Sequence, residues 1–265
     1  MAPPVRITFL GGLGDIGRNC AVLEADNRMV VLDCGQMFAD ETQPGVESVI
    51  PDFSYLIDNA DRIEACVVTH AHEDHIGSLT YLLEAVPDLE LDFYGTGFTL
   101  GLVRHKLGER NLIGRANLHV LHDGDTRRIG PFDCEFIPVT HSTPSGLITA
   151  FSTSQGIILH SSDFKLDHTP VDGRTTDLAR IGALSVDPGI RLLLADSTNA
   201  NIPGQSTSES EVGGVLRSLF HEHRDQRIIV GAYASHIHRI QQIATVALEQ
   251  DRTIVTLGRS MKRNV

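Results

Sequence analysis

Four residues of metal-ligand type, His70, His72, Asp74 and His75, fall within the six positions His70-Ala71-His72-Glu73-Asp74-His75. Imidazole nitrogen and carboxylate oxygen suit zinc and similar divalent ions, with histidine nitrogens about 2.0–2.1 Å from the metal. His70 and His72, two apart in an extended loop, can point the same way and share one ion. Asp74 and His75 open the element that follows and can turn toward a second ion beside the first. The bland alternative is a solvated helix start carrying chance histidines from the 13 in the chain. The density of donors and their place in the chain argue against it.

That place is set by the flanking elements. Ala65-Cys66-Val67-Val68-Thr69 reads as a β-strand, and the apolar positions 76, 79, 82 and 83 of Ile76–Leu83 recur at helical spacing. The cluster therefore sits at the carboxyl end of a strand, where open α/β sheets place their sites. The same arrangement recurs downstream. Cys134–Thr140 is a strand ending at His141, Ile157–His160 leads to Asp163, and Arg191–Ala195 leads to Asp196. A carboxylate can bridge two ions about 3.5–4 Å apart, which suits Asp163. Alone, His141 and Asp163 read as ordinary loop residues; beside the first cluster they supply what it lacks. His160 and His168 flank the aspartate but are kept outside the ligand set, and His105 and His119 read as structural or exposed. Asp33, ending the strand Met29–Asp33, serves equally well as a carboxylate orienting a ligand histidine or as a simple turn-starter.

Bulk properties narrow the class. With 265 residues and 41% hydrophobic content the chain can bury a good core. The start lacks the basic segment and apolar run of a signal peptide, and no apolar run reaches membrane-spanning length, so a cytoplasmic, non-membrane protein is expected. Cys20, Cys34, Cys66 and Cys134 show no CxxC spacing and read as buried free thiols of a reducing compartment. A net charge of −12 argues against general stickiness for nucleic acid, though bound divalent ions would make a local positive site.

Along the chain, Gly11–Asn19 is glycine-rich, but a strand follows Asn19 where a dinucleotide fingerprint needs a helix, so it reads as a tight loop near the metal floor. Cys20–Glu24 and Met29–Asp33 form a hairpin, Gln36–Pro51 is a loop, and a short helix follows Pro51. Residues 1–205 then form one α/β unit, and 206–265 begin another: a helix Val212–His221 with a Ser208/Glu211 capping box, a strand Arg227–Gly231, a helix from Ser235 to about Gln250, and a strand Thr253–Leu257.

His-x-His-x-Asp-His resembles the signature of the metallo-β-lactamase superfamily. Gly11–Asn19, Pro51-Asp-Phe, His72–Gly77, Asp163-Phe-Lys, Asp196–Ala200, Ser235–Gln242 and Gly258–Met261 together resemble bacterial ribonuclease J, in the β-CASP branch of that superfamily. The resemblance implies a four-layer αββα sandwich followed by the start of an α/β β-CASP module. It implies two Zn2+, with Mn2+ or Mg2+ as alternatives: His70, His72 and His141 on one ion, Asp74 and His75 on the other, Asp163 bridging. It gives Asp74, Asp163 and Asp196 catalytic parts, and makes Ser235, His236, His238, Arg239, Arg259 and Ser260 candidate substrate contacts, with Lys262 and Arg263 beside them. For each basic residue taken singly, solvated surface is the rival reading.

The implied activity is 5′-to-3′ exonucleolytic and internal cleavage of RNA by metal-activated water, in a homodimer or homotetramer. The family pattern has Gly at Ser162 and Asn at His236. It also continues well past 265 residues, with a further metal-binding histidine and a proton-donating histidine, so the expectation is an amino-terminal portion of weak or no activity by itself. Two other classes stay open: a small-molecule metallo-hydrolase of the same fold, and a non-catalytic RNA-binding or assembly module.

Overall fold

The computed structural model describes residues 4–264, apart from the side chain of Arg263; Met1 to Pro3 and Val265 lie outside the described residues. The chain begins with an antiparallel meander, β1 (Arg6–Gly11), β2 (Cys20–Ala25) and β3 (Arg28–Leu32). Residues 36–51, expected as loop throughout, carry a small ribbon of β4 (Met37–Phe38) and β5 (Ser48–Val49). After α1 (Ser54–Ile57), β6 (Ile63–Val67) enters beside β3 in parallel. Then come α2 (Glu73–Ile76), α3 (Leu79–Ala85), β7 (Leu91–Thr96), α4 (Gly97–Glu109) and β8 (Ala116–Leu121). The six strands lie in the order β1-β2-β3-β6-β7-β8.

A second sheet follows: β9 (Thr126–Ile129), β10 (Phe132–Pro138), β11 (Leu147–Thr153), β12 (Gly156–His160), then α5 (Leu178–Val186) and β13 (Ile190–Leu194). Its order is β13-β12-β11-β10-β9, antiparallel except where β13 joins β12 in parallel across α5.

Strand periodicity explains the layering. Side chains alternate between the faces of a strand. On β2, Cys20 and Val22 join the cluster under α3 and α4, while Ala21, Leu23 and Ala25 join the cluster between the sheets. Both faces being covered, β2 is apolar at nearly every position. β10 repeats the pattern: Phe132, Cys134 and Phe136 fill the space between sheets, and Ile137 packs outward with Leu184 of α5. Phe132 and Phe151 meet edge to face at 5.8 Å between ring centroids, a favoured aromatic geometry. The result is the four-layer αββα sandwich.

Beyond it lie α6 (Glu209–Glu222), α7 (Ile237–Glu249) and α8 (Arg259–Asn264), with Phe220, Val246 and Ala247 forming a small separate cluster.

Three expectations need correction. Ile76–Leu83 is not one helix. The chain breaks between α2 and α3 at Gly77-Ser78, because Ser78 donates through its backbone N to the Cys34 carbonyl (2.9 Å) and through Oγ to the Gly35 carbonyl (2.8 Å). Second, 227–231 and 253–257 are extended but are not strands: no ladder joins either one among the described residues, and Ile229 and Val255 stand 90% and 78% exposed. Apolar β-type sequence needs a neighbour before it becomes a strand. Third, Ser208 caps α6 with its hydroxyl accepting from the Ser210 backbone N, one residue earlier than a capping box requires.

All four cysteines are buried and unbridged. Among the described residues no helix is long and apolar enough to cross a membrane.

Candidate metal centre

The six donors arrive from three strand ends. The β6 strand delivers Val68-Thr69-His70, and the turn into α2 carries His72, Asp74 and His75. The β10–β11 connection carries His141, and the chain after β12 carries Asp163.

The donor atoms converge in two groups. His70, His72, His141 and Asp163 offer one atom each within 4.8 Å of one another, and so do Asp74, His75 and Asp163. In the first group His72 Nδ1 lies 3.1 Å from both His70 Nε2 and His141 Nε2. Asp163 Oδ2 lies 3.9 Å from His70 Nε2 and 3.7 Å from His141 Nε2. Asp163 turns its other oxygen, Oδ1, to His75 Nε2 at 3.3 Å, and Asp74 Oδ2 is 3.5 Å from that same nitrogen. Nitrogens bound about 2.0–2.1 Å from one tetrahedral ion are themselves separated by about this distance. Three imidazoles and a carboxylate at such spacing fit a divalent cation, and Asp163 faces both groups at once.

Behind the donors lies a set of oxygens that fixes ring orientation. His75 Nδ1 is 2.8 Å from Asp33 Oδ2, leaving Nε2 for the cluster. Asp33 in turn accepts from the Thr69 backbone N (2.8 Å) and its hydroxyl (2.9 Å). Of the two readings of Asp33, the structure places it as the orienting carboxylate. His70 Nδ1 lies 3.1 Å from Thr69 Oγ1 and 3.2 Å from Ser162 Oγ, and His72 Nε2 lies 3.3 Å from Ser142 Oγ. Asp33 and Ser162 both adopt left-handed backbone, at φ 57° and 56°. Non-glycine residues hold that conformation at a cost, commonly beside functional groups.

Close packing adds to this. A Cβ on Gly35 would lie 1.5 Å from the Asp74 carbonyl oxygen, so only glycine lets the β3 end reach α2. The β10–β11 connection is held at its neck by Arg174, which donates to the Val139 carbonyl (2.9 Å) and the Gly146 carbonyl (2.8 Å) while gripping Asp123.

Protonation follows from this setting. Burial pushes His70 well down, its histidine neighbours adding to the effect. Burial also lowers His72, and takes His141 down to about 4. These rings are neutral near pH 7, as metal ligands must be. For His75 burial works the same way, but the Asp33 and Asp163 carboxylates outweigh it and hold the ring well above the usual histidine value. For Asp163 burial opposes ionisation, yet His75 and the other rings keep it well below the ordinary carboxylate range.

A groove of about 650 Å³ opens from Asp74, His75 and Asp163 between the glycine loop 11–17 and residues 193–201. Asp196 lines it but belongs to neither donor group; its Oδ1 accepts from the Thr198 backbone N at 2.7 Å. The other candidates scatter. Ser235 lines a small cavity with Ala71 and Glu73, beside the turn that carries His72. His236 caps α7 and faces Glu209 at 3.6 Å, and Arg239 grips the same Glu209 at 2.8 Å. His238 is buried, 3.6 Å from Asp172, while Arg259 and Ser260 are exposed on α8. His105 and His119 are surface residues paired with Glu109 and Asp92. Thr69, Ser142 and Arg174 were not singled out from the sequence, and no local signal marks them; Ser162 stood out only as a departure from the family pattern.

This arrangement can be set against known proteins. The beta-lactamase superfamily domain matches residues 6–225, and the ribonuclease J beta-CASP domain matches residues 225–265. The chain belongs to the beta-lactamase superfamily. Within that superfamily it is similar to ribonuclease J of Mycobacterium tuberculosis, 44% identical over 261 residues, covering 98% of this chain and 46% of the relative. It is 42% identical to ribonuclease J of Mycolicibacterium smegmatis over 272 residues, covering 100% of this chain and 48% of the relative. The chain thus spans about half the length of the curated relatives it matches. A crystal structure of a protein of unknown function from Enterococcus faecalis superposes with a TM-score of 0.69 at 16% identity, over 92% of this chain and 63% of that one, and shares the fold.

Proposed function

We propose that this chain carries the divalent-metal centre of a ribonuclease that hydrolyses RNA phosphodiesters, by 5′-to-3′ exonucleolytic and internal cleavage, with zinc as the first candidate ion. The observation that carries the reading is Asp163, one carboxylate with an oxygen toward each donor group. His70, His72 and His141 would hold one ion, Asp74 and His75 the other. Bound divalent ions lower the pKa of water and neutralise charge on a phosphodiester. The protein's own part is positioning: Asp33, Thr69, Ser142 and Ser162 hold the rings, and Asp74 would also accept a proton from the attacking water. The similarity to ribonuclease J supports RNA as substrate and partner. Assembly into dimers or tetramers and a cytoplasmic setting are part of the same proposal.

The test is incubation of the metal-loaded protein with end-labelled 5′-phosphorylated RNA and, separately, with thioester and lactam substrates. Release of 5′-nucleotides that is weak with this chain by itself, rises when the carboxyl-terminal half of a ribonuclease J relative is added, and stops in Asp163→Ala is the expected result. Turnover of the small substrates with RNA left whole would replace the nuclease by a small-molecule hydrolase, and RNA bound but uncut even after that addition would favour an assembly module.

A further inference from the structure

The second donor group has only Asp74, His75 and Asp163, yet a further polar atom reaches it. Asn19 Nδ2 lies 3.1 Å from His75 Nε2 and 3.3 Å from Asp74 Oδ2. We propose that Asn19 is a ligand of the ion held by this group, presenting its side-chain carbonyl oxygen; the inference rests on the metal-centre reading above.

The position of Asn19 is imposed by the backbone. Its N donates to the Asp74 carbonyl at 3.0 Å, and its carbonyl accepts from the Gly35 N at 2.9 Å. These bonds tie the glycine loop to the very turn that carries Asp74 and His75. The Cα is therefore fixed, and the amide has only its own torsions to move.

The two ends of a carboxamide have nearly the same shape but opposite polarity: an oxygen that accepts and an NH2 that donates. Nδ2 is turned to the carboxylate, and Oδ1 points toward Gly12, where a Cβ would come within 2.7 Å of it. Gly12, at φ 84°, leaves the space beside the amide open. A cation placed among Asp74, His75 and Asp163 repels the N–H end and attracts the carbonyl. A half-turn about the last torsion exchanges the two without moving the main chain. An amide oxygen is also a hard donor of the kind that manganese and magnesium take readily.

Mn2+ binding by calorimetry distinguishes the outcomes. Wild type is expected to take two ions. Asn19→Leu, which keeps the volume and removes both polar ends, is expected to lose the second with a drop of about tenfold or more, while the first stays. Asn19→Asp is expected to keep or tighten it. In the wild-type chain the Asn19 side-chain carbonyl carbon should shift on Zn2+ addition, a readout that does not depend on how the variants fold. Two ions held by Asn19→Leu as tightly as by wild type, or an unmoved carbonyl resonance, overturns the assignment of Asn19 alone. A wild-type chain that takes no ion at all overturns the metal-centre reading beneath it.

Discussion

Asp33 Oδ2 and His75 Nδ1 meet at 2.8 Å with both side chains 2% exposed, a contact between residues 42 apart in sequence. The pair determines which nitrogen of His75 faces the cluster, and the same carboxylate anchors Thr69, the residue before His70. One buried acid thus governs rings in both donor groups.

Replacing Asp33 by Asn keeps the shape but removes the charge facing His75. Divalent affinity of the second site should fall about 10–100-fold, the usual effect of losing a carboxylate behind a ligand histidine. Competition with a fluorescent chelator measures it, and unchanged affinity would contradict the orienting role.

Asp163→Ala removes the one group common to both donor sets, so both ions should be lost on dialysis. His105→Ala, at an exposed helical position paired with Glu109, should leave metal content untouched. Elemental analysis of the two purified variants is sufficient, and equal retention would count against the ligand assignment.

Arg174→Ala should loosen the neck of the β10–β11 connection, releasing the carbonyls of Val139 and Gly146 together with Asp123. Loss of these charge-assisted hydrogen bonds should cost about 2 kcal/mol and weaken the His141 side of the centre before the His75 side. Thermal melting with and without Zn2+ separates the two effects.

A pH effect is expected far from the site. Tyr55 Oη donates to Glu24 Oε2 at 2.7 Å, and Arg62 pairs with the other oxygen. Burial opposes ionisation of Glu24, but these two partners prevail and hold it below its ordinary 4.5. A depressed folded-state value stabilises above the unfolded value and fades as pH falls through the folded one. Wild type should therefore melt above Glu24→Gln at pH 6, with the gap closing below pH 4.5. A gap that stays constant down to pH 3 would exclude this source of stability.

Much of the centre was legible in the sequence because its residue types are chemically narrow. Histidine and aspartate at successive strand ends have few other uses, and His70, His72, Asp74, His75, His141 and Asp163 do come together. Asn19 and Ser162 are different. Amides and hydroxyls occur everywhere in loops, and what matters here are contacts across 56 and 92 residues, which no local pattern carries. The break at Gly77-Ser78 was hidden for the same reason, since the competing acceptors are on Cys34 and Gly35. The segments 227–231 and 253–257 misled in the opposite direction. Their composition suits a strand, but composition cannot supply the neighbouring chain that a ladder needs.

The donors are divided between the two sheets: His70, His72, Asp74 and His75 come from the first, His141 and Asp163 from the second. Neither sheet alone can complete either group, so ions bound there would act as fasteners across the seam. Their binding energy would then oppose prying the halves apart, and chelation would open this edge of the sandwich first.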